Sequence, residues 1–290
     1  MSKKHYKEHH GLIYAILAAV LTAAIAVVVR WTASVPIITI LFFRFFICFL
    51  CVTPFLWKRK VILTETSIRK HTPRALLGLL SMGCYFYSIT HLSVMNAITL
   101  ANTAPLFLPI VIFFWLKKIL PIVRFIALGI GFVGIVVVLR PSPDMEIWAA
   151  LIGLLGGLCI ALVQIGIREL SKTESTETIL THYFFISTVV AFFPTIYFWQ
   201  PIESIELWVN LVLMGVGSYL FQYCFTRALK STGASKVSAM NYLGVPLGGL
   251  LGWWAFHEEP SLWTLVGTCL IIFGGVIAVL SKKEARERGS

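Results

Sequence analysis

Arg44 is the residue that most invites a chemical reading. It sits in the string Phe42-Phe43-Arg44-Phe45-Phe46, inside an apolar run that holds no acid. A lone cation at that depth in lipid costs about 2.5–3.5 kcal/mol or more, so it needs a partner. Two roles are open. The guanidinium can bind a ligand carboxylate or phosphate, or it can be structural, bonded to helix carbonyls or snorkelling outward. Other polar residues recur at similar depth. Asn102 and Thr103 precede Pro105, and Asn241 and Tyr242 precede Pro246. Proline withholds an amide hydrogen and can leave a carbonyl free to face a ligand. Tyr85, Gln164, Tyr219, Gln222 and Tyr223 add hydrogen-bonding groups and stacking faces. These residues are the candidate binding set. The competing role for each is to hydrogen-bond one helix to another.

Other chemistry is thinly represented. Cys48, Cys51, Cys84, Cys159, Cys224 and Cys269 all lie in apolar runs, and the pair Cys48/Cys51 has no second pair at metal-ligand spacing. Neither a disulfide framework nor a metal centre is expected, and no cofactor is implied. His91 and His182 lie near the ends of apolar runs and titrate near neutral pH when unperturbed. The chain has no H-E-x-x-H and no G-x-S-x-G, and no paired carboxylates inside an apolar run. No acid falls in any predicted span, which argues against carboxylate-driven proton coupling.

The elements that carry these residues are predicted to be membrane helices. The 290-residue chain is 58% hydrophobic and 13% charged, with mean hydropathy +0.86. A water-soluble fold of that composition would expose large apolar patches. A bilayer core needs about 20 apolar residues per helix. That ruler places spans at roughly 11–31, 36–57, 73–90, 93–116, 120–139, 147–168, 179–199, 207–228, 234–256 and 261–281. The run after Met1-Ser2-Lys3-Lys4 is too long for a signal peptide and is taken as the first span. Barrel strands would alternate polar and apolar residues, which Ile135-Val136-Val137-Val138-Leu139 does not.

The net charge of +11 lies between the apolar runs, so it speaks of topology and not of nucleic acid. With the N-terminus cytoplasmic, all 24 Lys and Arg except Arg30, Arg44 and Arg140 fall on the inner side. Asp144, Glu146, Glu203, Glu206, Glu258 and Glu259 fall outside. The expected placement is therefore a bacterial inner membrane with both termini cytoplasmic. Trp31, Trp57, Trp115, Trp199 and Trp208 mark span ends.

The chain also repeats itself. Residues 97–140 align with 238–281: Pro105-Leu106 with Pro246-Leu247, Phe132 with Phe273, and the run from Gly134 to Leu139 with that from Gly275 to Leu280. Upstream, Phe45-Phe46-Ile47 resembles Phe184-Phe185-Ile186. Two repeats follow, 1–141 and 142–290, each with five spans. An odd number of spans inverts the second repeat, a design that places a solute path at the midplane between halves. Gly244, Gly248 and Gly252 recur every fourth residue as a helix-contact stripe.

These strings resemble the drug/metabolite transporter superfamily, in its EamA-like ten-helix branch. The resemblance rests on Phe42-Phe43-Arg44-Phe45-Phe46, on Tyr85-Phe86-Tyr87-Ser88-Ile89-Thr90 through Pro105-Leu106, on Ala228-Leu229-Lys230 through Pro246-Leu247, and on Glu259-Pro260-Ser261-Leu262 before Gly267 and Gly274-Gly275. Lys117-Lys118 depart from it, standing where that branch usually has an acid. The first string and Arg74-x-Leu76-x-Gly78-Leu79-Leu80 are similar to those of S-adenosylmethionine uptake carriers. The resemblance implies an all-α membrane protein of ten helices in two inverted repeats. It implies a central cavity with the fifth and tenth spans peripheral, and transport of small organic metabolites. The expected function is a secondary transporter working by alternating access, by exchange or facilitated transport, on an S-adenosylmethionine-like or amino-acid-like substrate. The expected partners are a small-molecule substrate and the lipid bilayer; a homodimer is compatible with the sequence. The alternatives are a membrane-embedded lipid-modifying enzyme and a non-transporting membrane sensor.

Overall fold

The computed structural model describes residues 3–59, 64–116, 122–138, 146–232, 237 and 240–287. Among the described residues every regular element is helical. In chain order they are α1 Lys3–Trp31, α2 Ile37–Arg59, α3 Glu65–His91, α4 Val94–Ala101, α5 Ala104–Leu116 and α6 Ile122–Val138. Then follow α7 Ile147–Leu170, α8 Thr176–Tyr197, α9 Ile205–Thr232, α10 Gly244–Phe256 and α11 Leu262–Glu287. Their starts follow side-chain chemistry. Thr64, Ser93, Ser175 and Ser261 each accept the amide hydrogen of the third residue on, satisfying a donor the helix cannot. Between α3 and α4 only Leu92 and Ser93 intervene, with Leu92 extended at φ −116° and ψ 168°.

The outer surface is apolar. Ile13, Ile16, Leu17 and Val20 stripe the exposed face of α1, and Val209, Val212, Leu213 and Val216 stripe that of α9. Such a girdle is stable only against lipid, and helices satisfy their own backbone there. Among the described residues, six segments are long and apolar enough to cross a bilayer: His10–Trp31, Ile37–Pro54, Val94–Val111, Ile147–Leu170, Thr176–Tyr197 and Ile205–Thr232. The chain is thus a multi-pass membrane protein.

Packing pairs α1 with α9, α3 with α7, α2 with α8, and α6 with α11. The α6/α11 contact is backbone on backbone. A Cβ on Gly134 would lie 2.7 Å from the carbonyl oxygen of Gly267, and one on Gly267 would lie 2.7 Å from that of Gly134. Lipid gives little hydrophobic drive for helix association, so such close van der Waals approach supplies it instead. The stripe on α10 has the same use. Gly248 receives the side chain of Ile98 on α4, and Gly252 faces Val94.

Gly267→Val should therefore lower the unfolding temperature of the detergent-solubilised protein by the equivalent of about 1–3 kcal/mol, the usual cost of overpacking. An unchanged melting curve would show that the two helices do not touch through their backbones.

Candidate functional site

A cavity inside the bundle holds about 850 Å³ of non-protein space, part of it open to the outside. It is walled by α1, α2, α3, α7, α8 and α9, and by the α4–α5 break with residue 241. α6 and α11 contribute nothing to it among the described lining residues. The break comes from local chemistry. Asn102 ends α4, its amide hydrogen bonded to the Ile98 carbonyl at 2.9 Å, and Ala104 and Pro105 open α5. Proline suits the first turn of a helix, but it cannot donate to Ala101 four residues back. Ala101, Asn102, Ala104 and Pro105 all line the cavity. A second break leaves Tyr242 and Leu243 in a turn before α10, with Asn241 at the cavity wall.

Arg44 reaches the cavity from α2 while only 1% exposed. Its Nε donates to Ser218 Oγ on α9 at 3.0 Å. Its guanidinium lies 4.8 Å from the Phe45 ring centroid and 5.5 Å from that of Phe86. Nη1 has no acceptor among the described residues. Elsewhere on the cavity wall, the Tyr85 hydroxyl, the Gln222 Oε1 and the Asn241 Oδ1 are buried and equally unpartnered among them. An interior that seals such groups normally pairs them, so their position on one void makes it the candidate binding surface.

Of the sequence-derived candidates, Arg44, Tyr85, Asn102, Gln164, Gln222 and Asn241 line the cavity. Four stand elsewhere. The Thr103 hydroxyl turns back to the Leu100 carbonyl at 2.6 Å. Tyr219 packs with Phe184 and Tyr223, and Tyr223 lies under Arg227 at 5.2 Å. The Tyr242 ring fills the notch over Gly275 on α11, buried with Leu106 and Ile271. Tyr219 and Tyr223 sit on another face of α9, while Thr103 and Tyr242 lie in the turns at the two breaks and are engaged by other partners.

Five polar residues outside the sequence-derived set belong to this wall: Thr22, Ser81, Tyr183 and Ser218 line the cavity, and Arg74 lies behind Gly78. Counting charges by loop assigns Arg74 to the inner side; α3 begins at Glu65, so Arg74 is a helix-interior residue only 3% exposed. The stripe Arg74, Gly78, Ser81 and Tyr85, at helical spacing on one face, is the sequence signal that identifies it. Glu177 likewise leaves the loops. It sits buried in the first turn of α8, paired with Arg227 at 3.2 Å.

The two histidines part company. His91 is exposed and stacks on Tyr87 at 4.1 Å. His182 is buried against His71, ring centroids 4.2 Å apart. Its Nδ1 faces the Thr178 carbonyl at 2.8 Å and its Nε2 the Ser67 hydroxyl at 2.8 Å. One neutral tautomer satisfies both contacts, donating from Nδ1 and accepting at Nε2.

Ion pairs tie the bundle at both ends. At one end Arg30 pairs with Glu258 at 3.2 Å and donates to the carbonyls of Ile89 and Leu92. Glu258 in turn accepts the Val94 amide hydrogen at 2.8 Å. His257, at φ 55°, ends α10 in the left-handed region that side chains seldom adopt, and so leads into Glu258. At the other end Lys70 bonds Glu174 at 2.7 Å, and that hydrogen bond holds the Glu174 carboxyl below its usual range. Lys117-Lys118, Arg140 and Asp144 lie outside the described residues.

Arg30→Gln and Glu258→Gln should be coupled in a thermal double-mutant cycle, by about 0.5–1.5 kcal/mol for a half-buried pair. Purely additive losses would remove this pair as a tie.

A family model described as the EamA-like transporter family matches residues 9–140 and again 147–280. A pseudopaline exporter of Pseudomonas aeruginosa is 28% identical over 277 residues, 94% of this chain and 97% of that one. A riboflavin transporter of Vibrio cholerae is 23% identical over 99% of both chains. An S-adenosylmethionine uptake transporter of Rickettsia felis is 26% identical over 85% of this chain and 84% of its own. One crystal structure superposes with a TM-score of 0.69 at 17% identity, over 97% of this chain and 99% of that one, which shows a shared fold.

Proposed function

The chain belongs to the EamA-like transporter family, and from that premise we propose that it carries a small organic metabolite across a bacterial inner membrane by alternating access. It is a transporter and not an enzyme. The observation that carries the proposal is the cavity itself: a buried, mixed polar and aromatic chamber enclosed by helices from both halves of the chain. Six lining residues, Arg44, Tyr85, Asn102, Gln164, Gln222 and Asn241, are proposed to contact the substrate.

Ten membrane helices in two inverted repeats, 1–141 and 142–290, are part of the same reading. Its support is the double family match and the pattern of packing. Let α7, α8, α9, α10 and α11 stand for α1, α2, α3, α4–α5 and α6. The contact of α1 with α9 then becomes that of α7 with α3, and α2 with α9 becomes α8 with α3. The contact of α1 with α10 becomes that of α7 with α4 and α5. Such an exchange lets two halves swap conformations and open the cavity to alternate sides. The charge distribution supports cytoplasmic termini. No carboxylate lies among the described lining residues, which favours exchange or facilitated transport over proton antiport.

Reconstituted protein should take up a metabolite saturably, with uptake stimulated by the same compound inside the vesicle and indifferent to a pH gradient. A panel of amino acids, nucleosides, riboflavin and S-adenosylmethionine tests this. Asn102→Ala, Gln222→Ala and Asn241→Ala should each raise the apparent KM by about 5- to 50-fold, as expected for one lost buried hydrogen bond. Tyr219→Phe, away from the cavity, should not. Saturable uptake of no compound would sink the carrier reading.

A further inference from the structure

Arg74 is a buried cation whose hydrogen bonds the protein leaves unmade. It is only 3% exposed, yet Nε, Nη1 and Nη2 all lack a protein acceptor. The Tyr183 ring lies 3.6 Å from its guanidinium carbon. A ring over the flat face attracts the charge, and the Tyr183 phenol adds to that attraction, but neither gives the N–H groups radiating in the guanidinium plane a well-formed acceptor. Those donors stand directly behind the cavity wall at Gly78, one turn along α3. A Cβ on Gly78 would lie 2.9 Å from Arg74 Nη1 and 2.6 Å from the Tyr183 ring. The missing side chain leaves the guanidinium beside two residues, Gly78 and Tyr183, that form the cavity wall.

Arg44 repeats the arrangement from α2. Aromatic rings flank it, Ser218 takes only Nε, and Nη1 is unmet. The two guanidinium groups flank one aromatic pair: Phe45, 4.8 Å from Arg44, packs edge-on against Tyr183 with ring centroids 5.2 Å apart, and Tyr183 lies 3.6 Å from Arg74. Among the described residues neither has a carboxylate within ion-pair distance. The acids of the nearer end are engaged elsewhere, Glu174 with Lys70 and Glu177 with Arg227. Two like charges desolvated together are unfavourable until an anion joins them. A carboxylate or phosphate matches in-plane guanidinium donors in shape as well as charge.

We propose that Arg44 and Arg74 form a two-point oxyanion site in the cavity, so that the carried metabolite bears a carboxylate or phosphate group. The proposal rests on the carrier reading and deepens it. The rest of the ligand meets the Gln222 and Asn241 amide oxygens, which call for N–H or O–H donors. The substrate class is then a polar metabolite with an oxyanion at one end and hydrogen-bond donors at the other.

Thermal shift of the full-length protein in detergent tests this with matched probes. The pairs are succinate and succinamide, L-leucine and L-leucinamide, and glycerol 3-phosphate and glycerol. At least one oxyanion should raise the unfolding temperature while its uncharged or amide counterpart does not, and the responding pair tells carboxylate from phosphate. Arg44→Gln and Arg74→Gln should each weaken that binding by about tenfold or more, as for a lost charge-assisted hydrogen bond. Arg74→Lys, which keeps the charge and so tolerates the fold better, should still weaken it through loss of the fork. Equal shifts by acid and amide, no shift by any oxyanion, or shifts unchanged in the arginine variants would overturn the proposal. Saturable vesicle uptake of a neutral solute without oxyanion binding would overturn this inference and leave the carrier reading standing. Oxyanion binding without translocation would do the reverse.

Discussion

A bilayer core offers no hydrogen-bond partner, so a polar group buried in this protein must find one in the chain or in what the chain binds. That constraint is sharpest at Arg44. A guanidinium sealed at 1% exposure needs electrostatic company, and its neighbourhood is arranged around that need. Ser218 ties it to α9, while Phe45 and Phe86 offer ring faces. The same α2 that carries it packs on α8 and α9, so the cation sits where helices from both halves meet. Arg74 is held in a parallel way by Tyr183 on α8.

Close helix approach is the second organising principle, and glycine supplies it. Without a strong hydrophobic force between helices in lipid, contact surfaces must fit. α6 and α11 meet backbone to backbone at Gly134 and Gly267, away from the cavity. α10 accepts Ile98 of α4 in the hollow at Gly248. These tight contacts stand in contrast to the breaks at Asn102–Thr103 and Tyr242–Leu243, where regular helix is interrupted. The first break brings Asn102 and Pro105 to the cavity, and Asn241 reaches it beside the second. Rigid glycine seams and broken helices are complementary: the seams hold the frame, and the breaks turn polar groups inward.

Function follows from both. The relatives move chemically different solutes, so the family fold itself does not select a substrate. The cavity presents arginine, amide and phenol groups among aromatic rings, the groups proposed to make that selection. Ion pairs at both ends, Arg30 with Glu258 and Lys70 with Glu174, join helices around that cavity. Each lies where water can reach part of the pair, which keeps it weak enough to break.

Hydropathy by itself determined that this is a helical membrane protein. Long apolar runs leave the backbone no other way to bond in lipid. Helix starts were less legible: the hydropathy ruler begins the third span at 73 and the seventh at 179, whereas capping by Thr64 and Ser175 starts the helices at Glu65 and Thr176. The depth of Arg44, Asn102, Gln222 and Asn241 was legible, since depth follows from position along a span. What sequence could not decide was direction around the helix axis. Tyr219 and Tyr223 lie on α9 with Gln222 yet pack outside the cavity lining, and Tyr242 fills a notch over α11 instead. Arg74 and Glu177 looked like loop charges, and the structure buries both. Rotation and burial depend on which helices lie alongside, and that is settled by packing between segments far apart in the chain. Arg44 shows the division well. The sequence established that it needs a partner, and only the tertiary structure brought up Ser218, 174 residues away, while leaving Nη1 unmet.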